Sequence, residues 1–387
     1  MNSTIFDFKN LIMHLKELNV FTNGDATKLS TWSNFPYFFT ETLKEKGINV
    51  NYINTQPNKI LKNLYRFSVW QILKRQKKFD AYEYYRTPIN RFFVNRIIKN
   101  AVRKHKNADA NLFLNFSFSA KPYSSKPTVL FGDWTFEYFF EYFKHRKPSA
   151  LEQTFVDEEN KCIETADAVF VMFPKMAEVI KNRYTNKNIF YLGGYFINAK
   201  VEKDAANILA KKETSNKIIF IGTIKYKEGA LALIDAVKKL RQQNIFLEIH
   251  IVGMKTGDFS NLPDFVFCYG YLDKGIEKDR NTYYNLMESA KMIVNTTPKW
   301  SGFSSIIEAM YFYNPVITIP YDDFVETFNN NISFGIYNTN NNSLADDILR
   351  ILQSSNYTKM CEDAHLAVKD FTWSNYIDKF LNQLEKI

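Results

Sequence analysis

The sequence lacks the features that mark membrane-spanning and secreted proteins. Its 387 residues contain no uninterrupted apolar run of the ~18 residues that a membrane-spanning helix requires. Acidic and basic residues interrupt the apolar stretch at the N-terminus, so this stretch does not have the pattern of a secretory signal peptide. We therefore expect a cytoplasmic protein.

Cysteine and histidine are also scarce. Cys162, Cys268 and Cys361 are scattered along the chain, and the five histidines show no metal-ligand spacing. This distribution predicts neither a disulfide framework nor a metal cluster, and it favours a reducing compartment. We expect no metal and no cofactor in the protein.

Positive charge is concentrated in one segment. Residues 59–106 contain 14 Lys and Arg against two acidic residues, Asp80 and Glu83, which gives +12 where the whole chain carries +9. Apolar residues are interleaved with these charges. The segment fits ordinary amphipathic helices with solvated basic faces, or peripheral contact with an anionic membrane through Lys74, Arg75, Lys77 and Lys78. Nucleic-acid binding is disfavoured because no recognised binding motif accompanies the charge.

Strand and helix patterns alternate in two successive blocks. The first block has predicted strands at 19–22, 48–53, 111–116, 128–131, 168–173 and 189–192. The second has predicted strands at 217–221, 246–252, 266–271, 292–295 and 316–319, and a polar stretch at 198–216 between the blocks is typical of a linker. This order predicts an α/β protein with two doubly wound domains that face a cleft.

The segment WSGFSSIIEAMYFYNPVITIP at 300–320 predicts a loop, a helix, a turn and a buried strand. Ser304 or Ser305 is a plausible N-cap, and Pro315 ends the helix. The N-terminus of such a helix suits a phosphate, and Glu308, one turn further along, can accept hydrogen bonds from a ribose diol. Taken alone, the segment favours a solvated helix glutamate and an ordinary loop glycine, because single motifs of this kind often occur without function.

Order and spacing over the whole chain resemble the retaining, nucleotide-sugar-dependent glycosyltransferases of the GT-B fold, in particular glycosyltransferase family four. The resemblance lies in KIIFIGTIKYKEGALALIDAVKKL, FCYGYLDK, NLMESAKMIVNTTPKWSGFSSIIEAMYFYNPVI and FTWSNYIDKFLNQLEKI, and extends more loosely to NGDATKLSTWSNFPYFFTETLKEKG and VLFGDWTFEYF. It implies two Rossmann-like domains. The first covers 1–200 on the acceptor side, the second covers 201–371 and binds the nucleotide sugar, and a helix at 372–387 crosses back to the first domain.

The resemblance also implies roles for individual residues. Glu308 would hold the ribose, Phe303 and Ser304 would offer backbone N–H groups to the diphosphate, and Lys225 or Lys227 would neutralise that diphosphate. Asp133 would contact the transferred sugar. The other implied donor-site residues are Gly222 and Thr223 after a strand, Tyr269 and Tyr271 beside the base, Ser33 and Asn34 from the opposite domain, and Trp300 and Gly302 before the helix.

Two positions depart from the family pattern. Trp300 stands where the family commonly has a first glutamate, and Thr223 stands where an arginine usually follows the strand glycine. The leading hypothesis is a glycosyltransferase of bacterial surface polysaccharide or lipopolysaccharide synthesis that uses a glycan or lipid-linked glycan acceptor. The alternatives are a nucleotide-sugar-binding, weakly active subunit that supports a partner transferase, a GT-B epimerase and a nucleic-acid-binding protein.

Overall fold

The computed structural model describes residues 15–75, 84–199, 203–297 and 303–387. Contacts divide the chain into two compact units. The first contains residues up to 27, residues 36–194 and residues 376–387, and the second contains residues 28–35 and 195–375. Among the described helices, none combines the length and the apolar character needed to cross a bilayer.

The first unit is built around a six-stranded parallel sheet. Its strands are β1 (Glu17–Thr22), β2 (Asn49–Asn54), β3 (Ala110–Phe113), β4 (Thr128–Gly132), β5 (Ala168–Val171) and β6 (Ile189–Tyr191), in the order β2-β1-β3-β4-β5-β6. Its helices are α1 (Phe35–Glu45), α2 (Lys59–Phe67), α3 (Val69–Arg75), α4 (Pro88–Lys104), α5 (Phe136–Lys144), α6 (Ala150–Thr165) and α7 (Pro174–Arg183). Every residue of β3, β4 and β5 is buried, as expected for parallel strands covered on both faces.

The second unit contains another six-stranded parallel sheet. Its strands are β7 (Lys217–Ile221), β8 (Glu248–Val252), β9 (Val266–Gly270), β10 (Met292–Asn295), β11 (Val316–Thr318) and β12 (Gly335–Tyr337), in the order β12-β11-β10-β7-β8-β9. Its helices are α8 (Ala205–Glu213), α9 (Lys227–Gln242), α10 (Glu277–Ser289), α11 (Ser304–Tyr311), α12 (Asp322–Phe328), α13 (Leu344–Leu352) and α14 (Tyr357–Val368). The strand order reverses between β7 and β10, the place where doubly wound sheets bind ligands.

The last helix, α15 (Trp373–Leu384), joins the first unit from residue 376 onward. The Phe380 ring lies 5.2 Å from that of Phe39 on α1 and 4.7 Å from that of Phe170 on β5. Phe380 is fully buried. Two sheets of parallel strands flanked by helices, and a terminal helix that returns to the first unit, confirm the predicted fold class.

Several predicted elements require correction. The stretch at 198–216 is not an unstructured linker, because α8 occupies residues 205–213. The helix was missed because most of its residues are polar. It is nevertheless amphipathic, since Ile208 and Lys212, four residues apart, are buried. Helices α5 and α12 and strand β12 were not predicted, and β3 ends at Phe113 rather than at 116. Finally, Ser304 is the first helical residue of α11, and the N-cap position belongs to Phe303.

Candidate functional site

A cavity of about 410 Å³ lies in the second unit, at the carboxyl ends of β7 and β8. The reversal of strand order beside β7 places this cavity where an open α/β sheet leaves a crevice. The residues that line it are Ser30, Asn34, Asn198, Ile221, Gly222, Thr223, Val252, Gly253, Tyr271, Leu272, Lys274, Tyr283, Ser304, Ser305 and Glu308. Six of the residues predicted as site residues are therefore brought together: Asn34, Gly222, Thr223, Tyr271, Ser304 and Glu308.

Two glycines keep backbone at the cavity surface. Gly253 has φ +99°, and a Cβ at this position would lie 2.6 Å from the Gly222 carbonyl oxygen. A Cβ at Gly222 would lie 2.9 Å from the Cβ of Tyr226. Residues with side chains rarely adopt this φ, and neither position has space for one. The two loops therefore pack closely, and both glycines border the cavity.

Helix α11 begins at the cavity. Phe303, in the N-cap position, is fully buried and makes no side-chain capping hydrogen bond. Its ring stacks on Tyr195 with centroids 3.7 Å apart and packs edge-on against Phe324 at 5.0 Å. Aromatic packing rather than polar capping thus fixes the start of the helix. The first N–H groups of a helix have no intrahelical acceptor and carry a partial positive charge, and Ser304 and Ser305 bring this end of α11 to the cavity.

The Glu308 carboxylate is buried, with 5% of the residue exposed, yet it borders the cavity. The Lys274 ammonium donates to Glu308 Oε1, and the Tyr283 hydroxyl donates to Oε2 at 3.0 Å. Burial and the neighbouring carboxylate raise the pKa of Tyr283 well above its usual value, so its hydroxyl remains a donor at neutral pH. A carboxylate offers about four acceptor sites, so the bonds from Lys274 and Tyr283 leave capacity for a diol.

Lys274 connects this carboxylate to the segment that precedes α8. Its ammonium also donates to the Asn198 carbonyl oxygen at 3.3 Å and lies 4.4 Å from the centre of the Tyr283 ring. The Asn198 side-chain oxygen accepts from the Trp373 indole at 2.9 Å. Sequence reasoning did not single out Lys274, Tyr283 or Asn198. The only local signal was that Lys274 ends the quoted motif FCYGYLDK.

The predicted diphosphate-neutralising lysines are not among the residues that line the cavity. Lys225 is exposed on the 3-10 helix Ile224–Tyr226. Lys227 begins α9, and its ammonium lies 5.5 Å from the centre of the Phe259 ring. The buried lysine at the cavity is instead Lys274.

The predicted base-flanking tyrosines differ in their surroundings. Tyr271 lines the cavity and is 65% exposed, which leaves one ring face available for stacking on a ligand. Tyr269 lies on β9, where its hydroxyl is 2.7 Å from His250 Nδ1, and it is not among the lining residues. Of the pair, the structure places only Tyr271 at the cavity.

A short segment of the range 1–200, which was expected to form the first domain, makes its contacts with the second unit. Residues 28–35 belong to the second unit by their contacts. Asn34 adopts φ +71° and its side-chain amide donates to the Leu29 carbonyl oxygen. Ser33 lies on the 3-10 helix Thr31–Asn34. The predicted residues Trp300 and Gly302 lie outside the described residues.

Asp133 belongs to the first unit and directly follows β4. Its Oδ1 accepts from the Trp134 backbone N–H at 2.8 Å. Burial raises the pKa of the Asp133 carboxyl above its usual value. The role predicted for Asp133 in contacting the transferred sugar stays a prediction.

Neither metal ligation nor disulfide bonding is found in the described part of the chain. No group of three or more His, Cys, Asp or Glu side chains there could hold a metal ion. Cys162, Cys268 and Cys361 are free thiols.

The match to a known protein family lies within the second unit. Residues 201–366 match the model of the family described as glycosyl transferases group 1. No curated protein matches the chain. Solved structures resemble the chain in fold, at low sequence identity.

The chain is similar to TarM, with a TM-score of 0.64, 13% identity and coverage of 96% of this chain and 99% of TarM. It is similar to HepE from Anabaena in complex with UDP and glucose, with a TM-score of 0.62, 13% identity and coverage of 97% and 100%. It is also similar to WaaG, a glycosyltransferase involved in lipopolysaccharide biosynthesis, with a TM-score of 0.63, 12% identity and coverage of 95% and 98%. These likenesses confirm the two-domain GT-B fold.

Proposed function

We propose that this protein is a glycosyltransferase that moves a sugar from a nucleoside diphosphate to a glycan or lipid-linked glycan, with retention of anomeric configuration, in bacterial surface polysaccharide synthesis. The match of residues 201–366 to glycosyl transferases group 1 supports the reaction class. The UDP complex of HepE and the lipopolysaccharide role of WaaG support the donor and acceptor classes by analogy of fold. The observation that carries the proposal is the buried Glu308 carboxylate at the cavity, one turn from the start of α11.

The donor would bind with its ribose at Glu308 and its diphosphate at the start of α11. The ribose hydroxyls would donate to the acceptor sites of the carboxylate that Lys274 and Tyr283 leave available. The diphosphate would accept from the first N–H groups of α11 and from the Ser304 hydroxyl. A cavity of about 410 Å³ falls within the usual range of small-molecule sites.

The chemistry requires positioning and a fixed positive charge more than covalent help. The bond between the anomeric carbon and the diphosphate oxygen breaks, the acceptor hydroxyl oxygen bonds to that carbon, and the hydroxyl proton is released. The positive end of α11 would stabilise the charge that develops on the leaving diphosphate. Lys225 and Lys227 remain the predicted charge partners of that group, and Asp133 the predicted contact of the transferred sugar.

Binding of the donor class can be tested by thermal shift against UDP-, GDP-, ADP- and dTDP-sugars. A ligand at 100 times its Kd stabilises the native state by about 2.7 kcal/mol, so at least one donor class should raise the melting temperature. Turnover would then be measured as release of the nucleoside diphosphate. Protein that neither binds nor consumes any member of the panel would refute the proposal.

The second candidate function is a weakly active, nucleotide-sugar-binding subunit. It is favoured by Thr223, which is exposed at the cavity surface and offers no charge to a diphosphate. This candidate predicts donor binding with neither hydrolysis nor transfer until a partner protein is added. Turnover by the purified chain alone would exclude it.

A further inference from the structure

Helices α2, α3 and α4 of the first unit expose large apolar side chains to solvent. On α2, Ile60 is 70%, Leu64 is 61% and Phe67 is 74% exposed. The neighbouring helices add Val69, Ile72, Ile89, Phe92 and Phe93. We call these eight residues, with the basic residues of the same helices, the apolar-basic surface.

The geometry of α2 directs its apolar stripe away from the protein. Ile60, Leu64 and Phe67 are spaced by four and three residues, so at about 100° per residue they fall within about 60° of arc. Tyr65 is the buried residue of this helix and lies about 140° around the helix from Ile60 by the same count. It packs on Tyr84 with ring centroids 5.3 Å apart. The stripe is therefore not the face that attaches α2 to the unit.

Helices α3 and α4, which follow the two residues of the Tyr65–Tyr84 contact along the chain, carry further exposed apolar residues. Helix α3 follows α2 after Ser68 and has no buried residue, and its Val69 and Ile72 are three residues apart. Tyr84 begins the 3-10 helix Tyr84–Arg86 that leads into α4. Ile89, Phe92 and Phe93 lie in the first two turns of α4, so both exposed sets lie close to the Tyr65–Tyr84 contact.

The charge on this surface has one sign. Residues 59–75 contain five Lys and Arg, residues 84–106 contain seven, and neither range contains Asp or Glu. Lys59 and Arg66 lie roughly 110° and 130° from the centre of the α2 stripe, on the flank away from Tyr65. The Arg66 guanidinium still reaches back to the stripe, 5.8 Å from the centre of the Phe67 ring. Long basic side chains on such a flank can reach lipid phosphates while an apolar stripe enters the interface.

We propose that the apolar-basic surface docks on an anionic lipid bilayer, with the α2 stripe inserted among the lipid headgroups. A nucleic acid would engage the positive charge but would leave Ile60, Leu64 and Phe67 without a function. A second copy of this chain docked through the same surface would bring two sets of like charges together, which is unfavourable. The proposal stands on this surface alone and does not depend on the proposed enzymatic activity.

Vesicle flotation tests the proposal with the full chain. The vesicles contain phosphatidylcholine alone or with roughly a third phosphatidylglycerol, at about 0.1 and 0.5 M NaCl. One variant carries Ile60→Ser, Leu64→Ser and Phe67→Ser, and another carries Lys59→Glu, Arg66→Glu and Arg75→Glu. The matched controls change exposed residues of the second unit: Leu231→Ser, Phe246→Ser and Leu366→Ser together, and Lys239→Glu, Lys278→Glu and Lys369→Glu together.

We expect the wild type to bind the anionic vesicles, to bind less at high salt and not to bind phosphatidylcholine alone. Each surface variant should lower the partition coefficient roughly tenfold or more, and the controls should keep it. The altered residues are exposed, so unchanged melting temperatures are expected. A wild type that ignores anionic vesicles would overturn the proposal. Full binding by the serine variant would also overturn it, because the charge alone would then bind a polyanion. Self-association of the wild type that the serine variant abolishes would overturn it too, because the surface would then be a dimer interface.

Discussion

Replacing Lys274 with methionine tests whether the buried Lys274–Glu308 ion pair holds the candidate donor site together. The two side chains are 10% and 6% exposed, so the variant removes the charge partner of a carboxylate that is largely desolvated. The variant leaves Glu308 with the hydrogen bond from the Tyr283 hydroxyl. Removal of one partner from a buried pair typically costs about 3–5 kcal/mol, because an uncompensated charge remains buried.

The magnitude can be separated from simple loss of side-chain volume by removing both charges. A Lys274→Met, Glu308→Gln double variant keeps an oxygen for the Tyr283 hydroxyl and buries no charge. Replacement of a complete buried pair is often close to neutral, so the double variant should recover most of the lost stability. With the Glu308→Gln single variant added, the three changes in unfolding free energy give the coupling energy of a double-mutant cycle.

Calorimetry of the purified chain would measure these effects. For a unit of this size, each kcal/mol shifts the melting temperature by roughly 2–4 °C, so Lys274→Met should lower that of the second unit by roughly 6–20 °C. The matched control is Lys211→Met, because Lys211 pairs with Glu288 at 2.9 Å with 41% and 19% exposure, and such exposed pairs contribute about 0–1 kcal/mol. Equal shifts for Lys274→Met and Lys211→Met, or a double variant no more stable than Lys274→Met, would refute the reasoning.

Three further predictions concern other parts of the chain. Gly253→Ala should destabilise the protein by about 1 kcal/mol or more beyond the effect of Gly47→Ala. Both glycines have positive φ, but only a Cβ at position 253 would meet the Gly222 carbonyl oxygen. Equal losses of stability in urea unfolding would contradict this. Burial lowers the pKa of Lys212 to about 7, so the native state releases this proton before the unfolded state does. Stability should therefore rise above pH ~7 by up to about 1.4 kcal/mol per pH unit, and parallel pH profiles for wild type and Lys212→Met would exclude that contribution. Asp133→Asn should lower turnover roughly tenfold or more and weaken binding of the nucleotide sugar more than that of the free nucleoside diphosphate, because Asp133 is predicted to contact the transferred sugar. Unchanged turnover would contradict this role.

The sheets could be predicted from the sequence because their strands are short apolar runs with clear ends. The prediction for β10 at 292–295 and that for α14 at 357–368 coincide with the structure. β10 is a continuous apolar run whose four residues are all buried, and α14 buries Tyr357, Cys361, Ala364 and Val368 at helical spacing, so a local pattern carries the information in both segments. In α11, helical spacing predicts a buried face formed by Ile306, Ile307, Met310 and Tyr311. The first three are fully buried, whereas Tyr311 is only partly buried.

Elements whose stability depends on distant contacts could not be predicted in this way. Helix α8 is polar, and its buried Lys212 donates to the carbonyl oxygens of Met287 and Ala290 at 2.9 and 2.8 Å and to the Asn314 side chain at 2.8 Å. All three ammonium N–H groups find their acceptors far away in the sequence, at separations of 75, 78 and 102 residues. No local pattern distinguishes such a lysine from a solvated one.

The candidate site shows the same division. Gly222, Ser304 and Glu308 were singled out because a glycine after a strand and a carboxylate near a helix start form local patterns. Lys274 and Tyr283 were missed because they reach Glu308 from 34 and 25 residues away. In the sequence, Lys274 is one lysine in a charged loop, and only the fold buries it beside a carboxylate.

The most direct test of the central claim is a crystal structure of the chain with the nucleotide sugar that raises its melting temperature most. The account predicts both ribose hydroxyls within hydrogen-bond distance of the Glu308 carboxylate and the diphosphate beside Ser304, at the start of α11. A donor bound with its ribose away from Glu308, or outside the cavity that Gly222 and Gly253 border, would contradict it.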